Sequence, residues 1–172
     1  MRPASLVLAV ALALSHPWCR AATTIHHPGW DIALDGDWTQ QPGDDPEQKT
    51  AASERLGTSL TTSFMALKTN VDDVERLANR WRELRLDAEK AGAAKFHRTA
   101  TVIEPVLAAA PGAYVLTYHG HDDQGRQFRF YGVVSPRGVL SLYAESSSST
   151  EARLAADFTH VLAGLALRAA QP

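Results

Sequence analysis

Residues 113–146 read AYVLTYHGHDDQGRQFRFYGVVSPRGVLSLYAES, and this stretch decides the fold. Apolar or small side chains recur on even numbers: Tyr114, Leu116, Tyr118 and Gly120, then Phe128, Phe130, Gly132 and Val134, then Leu140, Leu142 and Ala144. A period of two marks strands with one face buried. Asp123, Gln124 and Gly125 separate the first two runs, and Pro136, Arg137 and Gly138 the next two. Each is a three-residue loop ending in a glycine that can take the left-handed conformation. Odd loops keep the even positions on one side of the sheet, because paired residue numbers then sum to an even value. On that register Tyr118 lies opposite Phe130 and then Ala144. The reverse face carries Thr117, Tyr131 and Tyr143 in one row and His119, Arg129 and Glu145 in the next.

Upstream, Trp30, Ile32 and Leu34 alternate with Asp31, Ala33 and Asp35, the pattern of a half-buried strand. A polar loop over 40–48 follows, containing Pro42, Gly43 and Pro46. Residues 50–54 and 59–67 then read as a hairpin turning near Gly57, with Leu60, Thr62, Phe64 and Ala66 on one face. Val74, Leu77, Trp81, Leu84 and Ala88 repeat at steps of three and four, which predicts a helix over 71–91 with Asn70 as its cap, Asp73 three residues on, and Gly92 at its end. Arg76, Arg80, Arg82 and Arg85 alternate with Glu75, Glu83, Asp87 and Glu89, as on a solvated face laced with ion pairs. A second helix is expected over 150–168, with Ser148 and Glu151 in capping-box spacing and Leu154, Phe158, Val161, Leu162 and Leu165 buried. Trp81 on the helix stripe and Phe130 on the inner sheet face are both expected to be buried.

The first residues have another character. Arg2, the apolar run Leu6 to Leu14, Pro17, and small Cys19 and Ala21 at the third and first positions before a cut form an export signal. The apolar run is too short to span a bilayer. Lipid attachment through Cys19 is disfavoured by bulky Trp18 in front of it. Removal of residues 1–21 leaves one domain over 22–172 and takes away Arg2, Arg20 and the only cysteine. The remaining chain has 15 basic against 19 acidic residues, a formal charge of −4. That balance does not favour nucleic acid or an anionic membrane. Without disulfides, stability rests on packing. No second apolar stretch has membrane-spanning length, so a periplasmic or secreted protein is expected.

The order is strands, a helix, a four-strand meander and a final helix, or β-β-β-α-β-β-β-β-α. With Pro28, Gly29 and Trp30 opening the first strand and Trp38 closing it, this order resembles the PsbP-like superfamily. That group includes the extrinsic photosystem subunit, DcrB-like bacterial envelope proteins and effector chaperones. The resemblance rests on element order and hydrophobic spacing over nearly the whole of 22–172. It implies an α+β fold, an antiparallel sheet packed with two helices, and a group that mostly binds other proteins without shared catalytic residues.

Other chemistries have candidate residues. His119 and His121 share one side of a strand with Asp122 and Asp123 next to them, and could ligate a metal if His26 and His27 came near. Glu104 and Glu145 are a candidate acid and base pair for hydrolysis. Ser146 to Ser149 lack the glycine frame of a nucleophile elbow and read as a loop leading into a helix cap. Apolar space between sheet and helices would suit a small-molecule carrier, although a filled core is the simpler expectation. The sequence therefore points to a non-catalytic module without a cofactor that binds another envelope or exported protein, such as a toxin immunity protein, an inhibitor or an accessory chaperone. Its expected partner face is Thr117, His119, Arg129, Tyr131, Tyr143 and Glu145, because Tyr and Arg most often anchor interfaces.

Overall fold

The structure, a computed structural model, describes residues 23–43, 45, 47–92 and 97–167; the expected export signal and residues 168–172 lie outside them. Five strands come first: β1 (Thr23–His27), β2 (Trp30–Leu34), β3 (Thr39–Gln41), β4 (Gln48–Ser53) and β5 (Thr58–Ala66). A single 3-10 turn, Val71–Asp73, leads into helix α1 (Val74–Gly92). Then come β6 (Arg98–Ile103), β7 (Leu107–Ala110), β8 (Ala113–Asp122), β9 (Gln127–Ser135) and β10 (Gly138–Ser146), followed by helix α2 (Glu151–Ala163) and β11 (Leu165–Leu167). The class is α+β, as the hydrophobic periods predict. Strands β1, β3 and β11 add to the expected order, and five strands, β6 to β10, stand between the helices where four were expected.

Two antiparallel sheets result. The large one runs β3-β4-β5-β10-β9-β8-β6, with β7 also paired to β8, and the small one runs β1-β2-β11. Pro28 and Gly29 turn β1 into β2, Gly29 at φ 79°, so the motif that signals the first strand is in fact a hairpin turn. The hairpin of β4 and β5 turns through 54–57 with Gly57 at φ 61°.

Register in the meander is half as expected. Asp122 and Arg126 close the first loop, and Tyr118 pairs with Phe130, their rings stacked at 4.5 Å. At the second turn only Pro136 and Arg137 lie outside the ladder, and Gly138 already pairs with Ser135. Tyr143, not Ala144, therefore faces Phe130. The physical reason is on the other side of β10: a side chain on Gly138 would collide with the Met65 carbonyl of β5, so this glycine serves a close approach of strands rather than a loop. An even loop reverses the parity of β10 and gives the large sheet two apolar faces.

Helix α1 covers the first face, where Leu116, Tyr118, Phe128 and Phe130 cluster with Trp81. Its buried line is Val74 and Ala78, continued by half-buried Leu77, Trp81 and Arg85. Leu84 (52% exposed) and Ala88 face water, correcting the predicted stripe. Arg85 takes the inward place by laying its guanidinium 5.5 Å from the Phe130 ring centre and 5.8 Å from that of Tyr118. Asn70 makes no side-chain cap, and Asp73 instead pairs with Arg76 at 2.8 Å. On the second face, α2 and the small sheet enclose Ile25, Ile32, Leu34, Leu154, Phe158 and Val161 against Leu60, Phe64, Val133, Leu140 and Leu142. Thr150, not Ser148, caps α2 by accepting from the Arg153 N–H at 3.3 Å. The helix stops at Ala163, and Leu165 begins β11, where sequence periodicity continues the helix to 168.

A polar contact joins the two sheets. His27 of β1 is 3% exposed, and its Nε2 lies 2.8 Å from the Thr62 hydroxyl of β5. That hydroxyl donates to the Lys49 carbonyl at 3.3 Å, so it accepts from the His27 Nε2–H. Burial, and secondarily the charge of Lys49, push the His27 imidazole below its ordinary value.

Two outcomes follow from this packing. A side chain on Gly132 would collide with the six-membered ring of Trp81, so Gly132→Ala should cost about 1–3 kcal/mol in urea unfolding. The loss should shrink in a Trp81→Phe background; equal losses in both backgrounds would show that the ring does not press on this strand. For His27, the unfolded chain takes up a proton at higher pH than the folded one. Stability should therefore be complete above about pH 6.5 and fall as pH drops toward the folded pKa. His27→Gln should flatten that decline, and a variant as acid-sensitive as the parent would place the titration elsewhere.

Candidate functional site

The even turn between β9 and β10 divides the six residues of the expected partner face. Direct pairing lines up Val102, His119, Arg129 and Ala144 in one row of the second face, and Thr117, Tyr131 and Leu142 in the next. A third row runs from Leu107 through Val115 and Val133 to Leu140. Thr117, His119, Arg129 and Tyr131 are thus brought together. Tyr143 and Glu145 are on the first face, where Tyr143 stacks on Phe128 at 6.1 Å and Glu145 lies 3.7 Å from Arg126. Their separation from the other four corrects the sequence reading, and its cause is the parity of one turn.

The four that remain lie where α2 stops covering the sheet. Glu151, in the first turn of α2, reaches both His119 Nε2 and Arg129 Nη2 at 3.4 Å. Arg129 Nε is buried and makes no hydrogen bond, so the Nη2 contact to Glu151 is what holds this guanidinium. Tyr131 is half-buried against the core, and burial raises its hydroxyl above the usual phenol value. Beyond them, toward the sheet edge, Val102 is 49% exposed and Leu107 63% exposed. These two apolar residues have no counterpart in the sequence reading. The available signal was Pro105, which interrupts an apolar stretch and removes a backbone donor, as is tolerated at sheet edges. At that break Arg82 of α1 donates to the Glu104 carbonyl at 2.9 Å.

The other candidate groups are dispersed. His119 and His121 do share a face, but His26 pairs with Asp31 at 2.6 Å and His27 is bonded to Thr62. Among the described residues, no group of three or more His, Cys, Asp or Glu side chains is placed to hold a metal ion. Glu104 and Glu145 have β8 and β9 between them. Ser146 Oγ donates to the Gly57 carbonyl at 2.7 Å and accepts from the N–H groups of Ser148 and Ser149, while Ser149 Oγ donates to the Leu56 carbonyl at 3.4 Å. The serine run thus latches the start of α2 to the β4–β5 turn.

Among the described residues, no helix is long and apolar enough to cross a membrane. No family model matches the chain, and no curated protein matches it. Among solved structures it is similar to the solution structure of cyanobacterial PsbP (CyanoP) from Synechocystis sp. PCC 6803, at 12% identity and a TM-score of 0.53 over 81% of this chain and 87% of that one. A crystal structure from Bacteroides thetaiotaomicron aligns at 10% identity and a TM-score of 0.48, over 87% of this chain and 49% of that one. Two sheets, two helices and the likeness to CyanoP agree with the resemblance carried by element order: the chain has a PsbP-like fold.

Proposed function

We propose that this protein is an exported, non-catalytic module that binds another protein of the envelope or exterior, as an immunity protein or inhibitor of an exported toxin or as an accessory chaperone. The observation that carries the reading is the open strip of the second face. Exposed Val102 and Leu107 adjoin half-buried Thr117, His119, Arg129 and Tyr131. Apolar contact beside tyrosine and arginine is the composition of an interface centre. The export-signal pattern of residues 1–21 supports a periplasmic or secreted location.

Capture of partner by the tagged exported form, from the envelope of its own cell, tests the strip. Leu107→Asp and Arg129→Ala should each weaken capture by tenfold or more, equivalent to over about 1.4 kcal/mol, with far-UV circular dichroism unchanged. Glu145→Gln, on the opposite face, should leave capture intact. Loss with Glu145→Gln and retention with Leu107→Asp would move the interface to the first face. N-terminal sequencing of the exported form should begin at Ala22; a lipid-bearing Cys19 would replace the free module by an anchored one.

A further inference from the structure

Beside the open strip, the outer edge of the large sheet is split between β6 and β7, which pair with successive parts of β8. At the break Arg82 donates to the Glu104 carbonyl at 2.9 Å and to the Ile103 carbonyl at 3.5 Å, and Pro105 has no N–H to offer. In β7 the register slips between Ala108 and Ala110. A strand added along this edge would meet occupied carbonyls, a missing donor and a bulge. Another protein therefore reaches the strip on its face, through side chains.

The Glu104 N–H donates to the Thr117 carbonyl at 3.0 Å, which extends the β6–β8 ladder one residue past the pair of Ile103 with Tyr118. Glu104 thus stands in the row of Thr117 and Tyr131, on the face that carries Val102. Val102, Glu104 and Leu107 then fall in three successive rows along the margin, those of His119, Thr117 and Val115. Rows on one face are about 6.7 Å apart. All three side chains are exposed, so the margin presents an apolar, an acidic and again an apolar group to solvent. The neighbouring charges are spoken for, because Glu151 is shared by His119 and Arg129, both at 3.4 Å. Among the described residues of the margin, the carboxylate of Glu104 is the charge left uncompensated. With residues 1–21 removed, the formal charge of −4 draws basic partners in the same sense during encounter.

We infer that the partner segment docking on this margin presents an apolar, a basic and again an apolar side chain at intervals of about 6.7 Å, its guanidinium or ammonium meeting Glu104 and its apolar groups meeting Val102 and Leu107. This rests on the protein-binding reading of the strip and adds to it the chemistry of the partner.

The acetylated and amidated peptide Leu-Ser-Arg-Ser-Leu places its two leucines and its arginine on one side when extended, at the spacing of the three rows. Leu-Ser-Glu-Ser-Leu differs only in the sign of the central charge. Titration of the exported form, followed by the methyl resonances of Val102 and Leu107, should show saturable binding of the arginine peptide at roughly millimolar Kd, as a ligand of this size allows. The glutamate peptide should bind at least about threefold more weakly, the difference expected between an exposed ion pair and an exposed like-charge contact. That comparison requires no variant. Glu104→Gln should erase the preference and Glu104→Lys should invert it. Equal affinity of the two peptides for the parent protein, with Val102 and Leu107 still shifted, would overturn the basic partner and leave the strip as a binding surface. A preference that survives in Glu104→Gln would place the selecting charge elsewhere and overturn it too. Val102 and Leu107 unmoved by either peptide up to about 10 mM would overturn the strip itself together with the partner assigned to it.

Discussion

The pairing of β9 with β10 through the two residues Pro136 and Arg137 is the constraint on which the rest of the structure depends. Alternation along each strand means that one residue more or fewer in a turn exchanges the two faces of everything that follows. With the even turn, Leu140, Leu142 and Ala144 leave the aromatic face of Phe128 and Phe130 and enter the face of Val133 and Tyr131. Strand β5, paired to β10 from Gly138 to Ser146, inherits the choice, and so does β4. The large sheet acquires two cores, and each needs its own cover. One is α1; the other is α2 with the small sheet.

Each cover is held by a device suited to its side. On the α1 side an aromatic cluster is sealed by Trp81, packed edge-on to Phe130 at 5.6 Å into space left by Gly132, and by the flat guanidinium of Arg85. A planar cation over aromatic rings can be half-buried without full desolvation, which is why an arginine occupies the inner line of the helix. On the α2 side aliphatic packing dominates, and directional bonds secure its margins: Ser146 to Gly57 at the start of α2, His27 to Thr62 between the sheets, and Gly164 against Ala33 where the chain leaves the helix. Strand β11 then adds α2 covalently and by hydrogen bonds to the small sheet.

Strand and helix placement was legible because periods of two and of 3.6 residues are local properties of the chain. The register of β8 with β9 was legible for the same reason, since Asp122 and Gly125 make a loop whose length can be counted. The next turn was not, because the role of Gly138 is set by the approach of Met65, more than 70 residues earlier. A glycine closing a loop and a glycine admitting a neighbouring strand are identical in sequence. Similarly, Leu84 scored as core and Arg85 as surface from hydrophobicity alone, whereas the rings beneath the helix favour the reverse. The end of α2 depended on the edge of β2 being free to receive Leu165 to Leu167, a long-range fact that helical periodicity does not contain. Four of the six residues of the expected partner face stayed together because all four belong to β8 and β9, whose register was correct.

The same geometry explains why a strip of the second face is open at all. Seven strands abreast at about 4.8 Å spacing span roughly 29 Å, whereas one helix with its side chains is about 10–12 Å across. A single helix cannot cover such a sheet, so α1 leaves the β5 and β4 side of the first face bare. There the chain places Ser59, Thr61 and Ser63 beside Thr50 and Ser141, short hydroxyl side chains at ease in water. On the second face the small sheet lies toward β4 and β5 and α2 toward β9, so the uncovered margin falls on β8 and the edge formed by β6 and β7. If that margin were only solvated, the same hydroxyl pattern would suffice. It carries Val102, Leu107, Tyr131 and an under-bonded Arg129 instead. The first-face area has apolar surface of its own, since Met65 of β5 is 54% exposed there; what sets the β8 margin apart is that exposed Val102 and Leu107 stand beside Tyr131 and Arg129, where contact with another protein would replace the missing cover.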